Sequence, residues 1–265
     1  MKKFLCLLGA LALSLNSCSS DDSSSDGESS TNALPTKITL TTVENGKSGS
    51  LDYTFSYDGN KLKQISLSDA SKYVYTYTGD VITKVEYFRS SVLISTDVYA
   101  YENNKLVSKI TTQAFSSTYQ DKLTFVYNSN GTVNVNQSQI IDRQEVKYDT
   151  TTLYTFANGN IVSAEYHDGL KEKTTNTFDN KKSPFVNITG LKLLLDLAQV
   201  DSDDYQFDFH SANNALTSVT VNYDADGKAV QTSSVEYKTK YNSNNFVSEV
   251  FSGDANDSFK IQITY

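Results

Sequence analysis

The sequence predicts a mainly β fold: one large, strongly curved antiparallel meander, a half-open barrel or shell-like sheet, with one apolar helix in its concavity. Three observations predict it. Apolar residues, many of them aromatic, alternate by two along most of the chain. Asp-, Asn- and Gly-rich turns separate these runs at short intervals, and a single segment breaks the rhythm with apolar residues at helical spacing.

Taken in order, the first residues stand apart from the fold. Lys2 and Lys3 form a basic n-region, and Phe4 to Leu15 is an apolar run too short to span a bilayer as a helix. Residues 1–17 therefore read as a secretory signal. It ends at Leu15-Asn16-Ser17-Cys18, which looks like a bacterial lipobox, so Cys18 is the expected lipidation site and the membrane its expected partner. Residues 18–36 then form an acidic Ser/Asp tether with little to bury. Cys6 lies in the signal and Cys18 carries the lipid, which leaves no cysteine for a disulfide, a nucleophile or a thiolate metal site.

Residues 37–265 read as a single domain, because no Pro- or Gly-rich linker divides them. Its founding unit is Tyr53-Thr54-Phe55-Ser56-Tyr57-Asp58-Gly59-Asn60-Lys61-Leu62, in which alternating aromatics lead into a tight polar turn. Equivalents of Tyr57 follow at Tyr77, Tyr101, Tyr127 and Phe156, in steps of 20, 24, 26 and 29 residues, each about two strands and two turns. Asp, Asn and Gly fill the turns because at least one residue there needs positive φ. Between the aromatics, Lys63, Lys84 and Lys109 suit a solvent face, and Val92 to Tyr101, apolar at both parities, suits a strand covered on both sides.

After Ser183-Pro184-Phe185 the pattern changes. Asn187 or Thr189 can cap a helix near 187–200, and Ile188, Leu191, Leu194, Leu195 and Ala198 would share one face of it. So apolar a helix needs enclosure, and the aromatic face of a curled sheet supplies it. Strands resume from Tyr205 and end with Phe259, Ile261, Ile263 and Tyr265 on one face.

The unit Tyr-x-Tyr-Asp-Gly-Asn-x-Leu, seen at Tyr57-Asp58-Gly59 and again at Tyr223-Asp224-Ala225-Asp226-Gly227, resembles the tyrosine-aspartate (YD) repeats of Rhs-type proteins. It is similar also to the degenerate copies in Bacteroidota and flavobacterial surface lipoproteins of unknown function. The Cys18-Ser19-Ser20-Asp21-Asp22 start resembles the export signal that places such lipoproteins on the outer face of the outer membrane; an ordinary linker explains the same residues. The resemblance implies a curved β shell and an outer-membrane, lipid-anchored location, and it implies no catalytic residue.

The chemistry-bearing residues are sparse. Without Lys2 and Lys3 the chain keeps 21 basic against 31 acidic residues, a net charge of −10, which disfavours nucleic acid as a partner. His167 and His210 each stand alone, without the spacing of a metal pair. Asn222 to Gly227 fits the first half of a calcium loop, but Ser233 stands where a bidentate glutamate is needed. Asp201, Asp203 and Asp204 read as a solvated acidic loop. Glu165, Asp168 and Glu172 could pair as glycosidase acids, though no spacing singles two of them out. No cofactor is expected. The expectation is a non-catalytic binding or structural surface protein whose partner is a glycan or protein. A carrier or sensor of an apolar ligand held between sheet and helix is the second reading, and a carboxylate glycosidase the third. Eighteen tyrosines and no tryptophan fit a buried aromatic face better than a sugar-stacking platform.

Overall fold

The computed structural model describes residues 33–116, 118–168, 170–195, 208 and 210–265. Alternation and turns give seventeen strands among them: β1 (Lys37–Glu44), β2 (Lys47–Asp58), β3 (Lys61–Leu67), β4 (Ser71–Thr78), β5 (Val81–Arg89), β6 (Val92–Glu102), β7 (Lys105–Gln113), β8 (Tyr119–Tyr127) and β9 (Val133–Ile141). The series continues with β10 (Gln144–Ala157), β11 (Asn160–Asp168), β12 (Leu170–Lys182), β13 (Asn213–Tyr223), β14 (Ala229–Glu236), β15 (Lys238–Tyr241), β16 (Val247–Gly253) and β17 (Ser258–Thr264).

Each strand pairs antiparallel with the next, from β1 to β14 and again from β15 to β17. β1 pairs with both β2 and β17, in registers such as Leu40↔Leu51 and Leu40↔Ile261. The sheet thus curls into a nearly closed barrel, interrupted at Tyr237 between β14 and β15.

The repeated aromatic has a structural meaning beyond alternation. A register shift, the mark of a β-bulge, falls immediately before Tyr57, Tyr77, Tyr101, Phe156, Tyr223 and Tyr241. The bulge inserts one residue after each turn, so inward positions there are spaced by three, as in Leu62 and Ile65 or Ile82 and Val85, all buried. The tyrosine hydroxyls then stitch each hairpin to the one before it. Tyr101 donates to the Ile82 carbonyl at 2.8 Å, Tyr77 accepts from the Leu62 amide at 3.1 Å, Tyr265 donates to the Val247 carbonyl at 2.9 Å, and Tyr57 donates to the Pro35 carbonyl at 2.7 Å.

The expected helix near 187–200 does not form over its described part. Residues 187–195 run as turns with one 3₁₀ turn at Leu191–Leu193, and 196–200 lie outside the described residues. Gly190 is the physical reason. It sits at φ 76°, and a Cβ there would lie 2.5 Å from the Asp80 carbonyl oxygen, so the chain turns left-handed where it presses on the β4–β5 hairpin. Its neighbours bond to the barrel instead of to a helix: the Thr189 amide donates to the Asn60 carbonyl at 2.9 Å, and the Thr189 carbonyl accepts from the Tyr77 hydroxyl at 3.1 Å. The covering role survives the loss of helix. Phe185, Ile188, Leu191, Leu194 and Leu195 are buried in the same core as Tyr53, Phe55, Tyr73 and Tyr75.

Two further expectations are corrected. β6 is open on its outer side, where Val98 is exposed, and Val92 is exposed at its start. Of the three lysines assigned to solvent, Lys63 and Lys84 face outward but Lys109 turns inward, because the bulge beyond Leu106 moves it to the position that Ile65 and Val85 hold in earlier hairpins. The outer wall carries ion pairs, among them Lys37 with Asp52, Lys84 with Glu86, Lys122 with Glu145 and Lys240 with Glu249. A bilayer-spanning barrel needs an apolar band in that place.

Candidate functional site

The barrel has two unlike ends. At the end with the tyrosine-preceded turns, the Ser183–Leu195 segment and the entering chain at Ala33 to Thr36 close the interior, joined by a bond from the Asn187 side chain to the Ala33 carbonyl at 3.0 Å. Toward the other end the inner wall becomes polar. One continuous row of cross-strand partners, Tyr75, Val85, Asp97, Thr111, Asp121 and Gln139, crosses β4 to β9 on the inward face. Lys109 and Tyr99 form the adjacent pair.

These groups are held in fixed positions. Asp97 accepts from the Thr111 hydroxyl at 2.6 Å through one oxygen; the other receives the Tyr99 hydroxyl at 3.4 Å and the Lys109 ammonium at 3.3 Å. Asp121 accepts from the Tyr119 hydroxyl at 2.9 Å and from the Gln139 amide at 3.2 Å, and Gln139 in turn accepts from Tyr148. Accepting that hydroxyl, Asp121 pushes the Tyr119 hydroxyl above its ordinary pKa.

Tyr75 and Val85 at one end of the row are buried, whereas Tyr148, whose hydroxyl reaches Gln139 at the other end, is 43% exposed at the rim. The buried Tyr75 hydroxyl has no hydrogen-bond partner among the described residues. Burial, then Tyr73, Tyr77 and Asp97, push its pKa well above the ordinary value. Beside it, Tyr73 and Tyr87 stack with ring centroids 4.8 Å apart.

A second space lies under the covering segment. It is a cavity of about 190 Å³ lined by Phe178, Phe185, Tyr237, Val250 and Ile261, with Asn214 among its polar groups. That is close to the roughly 150 Å³ that accepts benzene and below the roughly 300–1,000 Å³ of most ligand pockets. A larger space of about 330 Å³ also lies between cover and sheet, lined by Leu193 and Leu195 on one side and by Tyr127, Val133 and Phe156 on the other, which is within the range of small-ligand pockets.

The residues singled out from sequence do not converge. Glu165 sits on the outer face between Lys171 at 2.7 Å and Lys173 at 2.8 Å; those two ammonium groups draw its pKa down to about 2, the behaviour of a structural ion pair and the opposite of a proton donor. Asp168 and Glu172 fall on the opposite face of the same strands, where both are exposed beside Tyr166, whose hydroxyl donates to Asp168 at 3.4 Å, so Glu165 is separated from the other two acids. Asp224 closes the β13–β14 turn by accepting from the amides of Asp226 at 3.1 Å and Lys228 at 2.9 Å. His167 is exposed at the end of β11. His210 packs its ring edge on Phe156 and contacts the Lys192 carbonyl, and burial lowers its pKa. Cys18 and the Asp201, Asp203 and Asp204 loop fall outside the described residues. Among the described residues no three His, Cys, Asp or Glu side chains gather as a metal site.

Neither a protein-family model nor a curated protein matches the chain. Among solved structures, the chain is similar to a porin-like protein from Bacteroides uniformis ATCC 8492, with a TM-score of 0.51 and 11% identity over 87% of this chain and 96% of that one. At that identity the likeness is one of fold, and it places the curled sheet among barrels.

Proposed function

We propose that the chain is an outer-membrane lipoprotein, anchored through Cys18, whose barrel stands in water and binds a hydrophilic ligand at its polar end without transforming it. The observation that carries this reading is the inward row from Tyr75 to Gln139. Charged and hydroxyl side chains occupy positions that the rest of the barrel fills with Leu, Ile, Val and aromatic residues. The ion-paired outer wall supports a solvated barrel. Catalysis is disfavoured by the state of Asp97, both of whose oxygens already accept protein donors.

Two experiments test the parts separately. Palmitate labelling of cells should be lost in Cys18→Ala, and protease shaving of intact cells should degrade a surface-exposed chain and spare one facing the periplasm. Ligand-detected NMR with mixed water-soluble peptides, polyamines and saccharides should find binders whose signal disappears in Thr111→Trp, which fills the mouth. Equal binding by the filled variant would sink the reading.

A further inference from the structure

We infer that the space beside Leu193 and Leu195 is a binding site for an amphipathic, medium-chain monocarboxylate. It lies at the closed end of the barrel, apart from the polar row. The first reason is how the cover is seated. On one side it is fastened: Gly190 presses on the Asp80 carbonyl, and Thr189 bonds to Asn60 and Tyr77. On the other side it stands off the sheet, and a gap of about 330 Å³ remains between it and Tyr127, Val133 and Phe156. Phe156 occupies the place where the four earlier repeats carry a tyrosine, so this wall gains no hydroxyl there.

The second reason is the charge at the mouth. Lys105 and Lys192 are both exposed and both line the space, and no carboxylate lines it among the described residues. Lys105 stands over the Tyr127 ring, 4.8 Å from its centroid, and neither ammonium has an ion-pair partner among the described residues. Glu102, opposite Lys105 in the β6–β7 ladder, makes no ion pair with it, and Asp208 is turned to the His210 and Ser211 amides at 3.0 and 2.9 Å. An apolar chamber with two cations at its entrance suits a molecule with an apolar body and one anionic end. At roughly 30 Å³ for each methylene-sized group, about the share of a water molecule, the space holds about eleven non-hydrogen atoms. Octanoate and decanoate bracket that size, whereas the acyl chain of a membrane lipid exceeds it.

The test is calorimetric titration of the full lipidated chain in phosphatidylcholine nanodiscs, with empty nanodiscs as the blank. The probes are octanoate, decanoate, octanol, octylamine and acetate. Octanoate or decanoate should bind. Octanol should bind about threefold more weakly or worse, and acetate and octylamine should not bind. Replacing Lys105→Met together with Lys192→Met keeps two apolar stems; it should weaken carboxylate binding about tenfold and leave octanol unchanged. Leu193→Trp fills the chamber and should abolish binding of both, whereas Thr111→Trp, in the polar row, should leave it intact. Binding by neither carboxylate overturns the inference, as does carboxylate binding that survives Leu193→Trp or is lost in Thr111→Trp. Octanol bound as tightly as octanoate, or carboxylate binding unaffected by the double lysine substitution, also overturns it. Both lysines are exposed, so that variant decides the matter even where Leu193→Trp fails to fold.

Discussion

Replacing Gly190 by alanine should damage the protein far more than the same change at Gly79, although both residues have positive φ. Gly79, at φ 57°, has nothing within 4 Å of where a Cβ would sit, so Gly79→Ala carries only the left-handed backbone cost of about 1 kcal/mol. Gly190 carries a similar cost, and its Cβ would also meet the Asp80 carbonyl oxygen at 2.5 Å. The carbonyl oxygen belongs to the backbone and a Cβ is fixed to its own Cα, so neither can swing aside and the covering segment must lift. Lifting breaks the bonds of Thr189 with Asn60 and Tyr77, about 1 kcal/mol each, and loosens the wholly buried Leu191 and its neighbour Ile188. The sum is about 4 kcal/mol. For a domain of this size that corresponds to roughly 10 °C in the unfolding midpoint, against about 3 °C for Gly79→Ala. Both variants can be followed by circular dichroism at 218 nm, a wavelength at which β structure reports about the whole barrel. Equal shifts in the two variants would refute the claim that Gly190 seats the cover.

Three smaller predictions follow from the same contacts. Tyr101→Phe removes the stitch to the Ile82 carbonyl and should cost about 1 kcal/mol in urea unfolding, whereas an unchanged midpoint would mean the hydroxyl contributes nothing there. Glu165 is held below its ordinary 4.5 at about 2, so its contribution is complete above pH 4.5 and is lost as pH falls toward 2; Glu165→Gln should flatten that part of the acid limb in urea midpoints measured from pH 6 to pH 2. His210 is also shifted downward, in its case by burial. The unfolded chain takes up its proton first, near pH 6.5, so stability should decline as pH drops below that value, and His210→Asn should remove this decline in thermal midpoints read between pH 7 and 5.

Much of the architecture was legible because it depends on two local signals, alternation and turn chemistry. Leu51, Tyr53, Phe55 and Tyr57 announce one buried face, and Asp58-Gly59-Asn60 announces the turn that follows. The cover was legible as an apolar segment but misread as a helix, since the stripe from Ile188 to Leu195 outweighed Gly190 in its middle. That glycine was the available signal, and only its contact with Asp80 shows why it matters. The polar wall was hidden for a different reason. A bulge at the turn after Tyr101, as after Tyr57 and Tyr77, resets parity, so counting by two sends Lys109 outward when the chain sends it inward. Asp97 and Asp121 become neighbours on one surface only through the pairing of three strands, β6, β7 and β8, which no local pattern specifies. The hydroxyl stitches were equally invisible, because a tyrosine that donates to a backbone carbonyl and one that merely fills a core look alike in sequence.

The double pairing of β1 governs how the chain can mature. Its partner on one side, β2, follows at once, but its partner on the other, β17, lies at the end of the domain more than 200 residues later. While the polypeptide emerges, β1 presents a bare edge of unpaired amides and carbonyls, and so does every newly made strand after it. Only the last seven-residue strand, Ser258–Thr264, removes that edge, helped by the Thr36 amide bonded to the Thr264 carbonyl at 2.7 Å. Until that strand docks, the folding barrel is an open ribbon prone to pairing with its neighbours, and the β1–β17 pairing is what turns it into a solitary, edge-poor molecule.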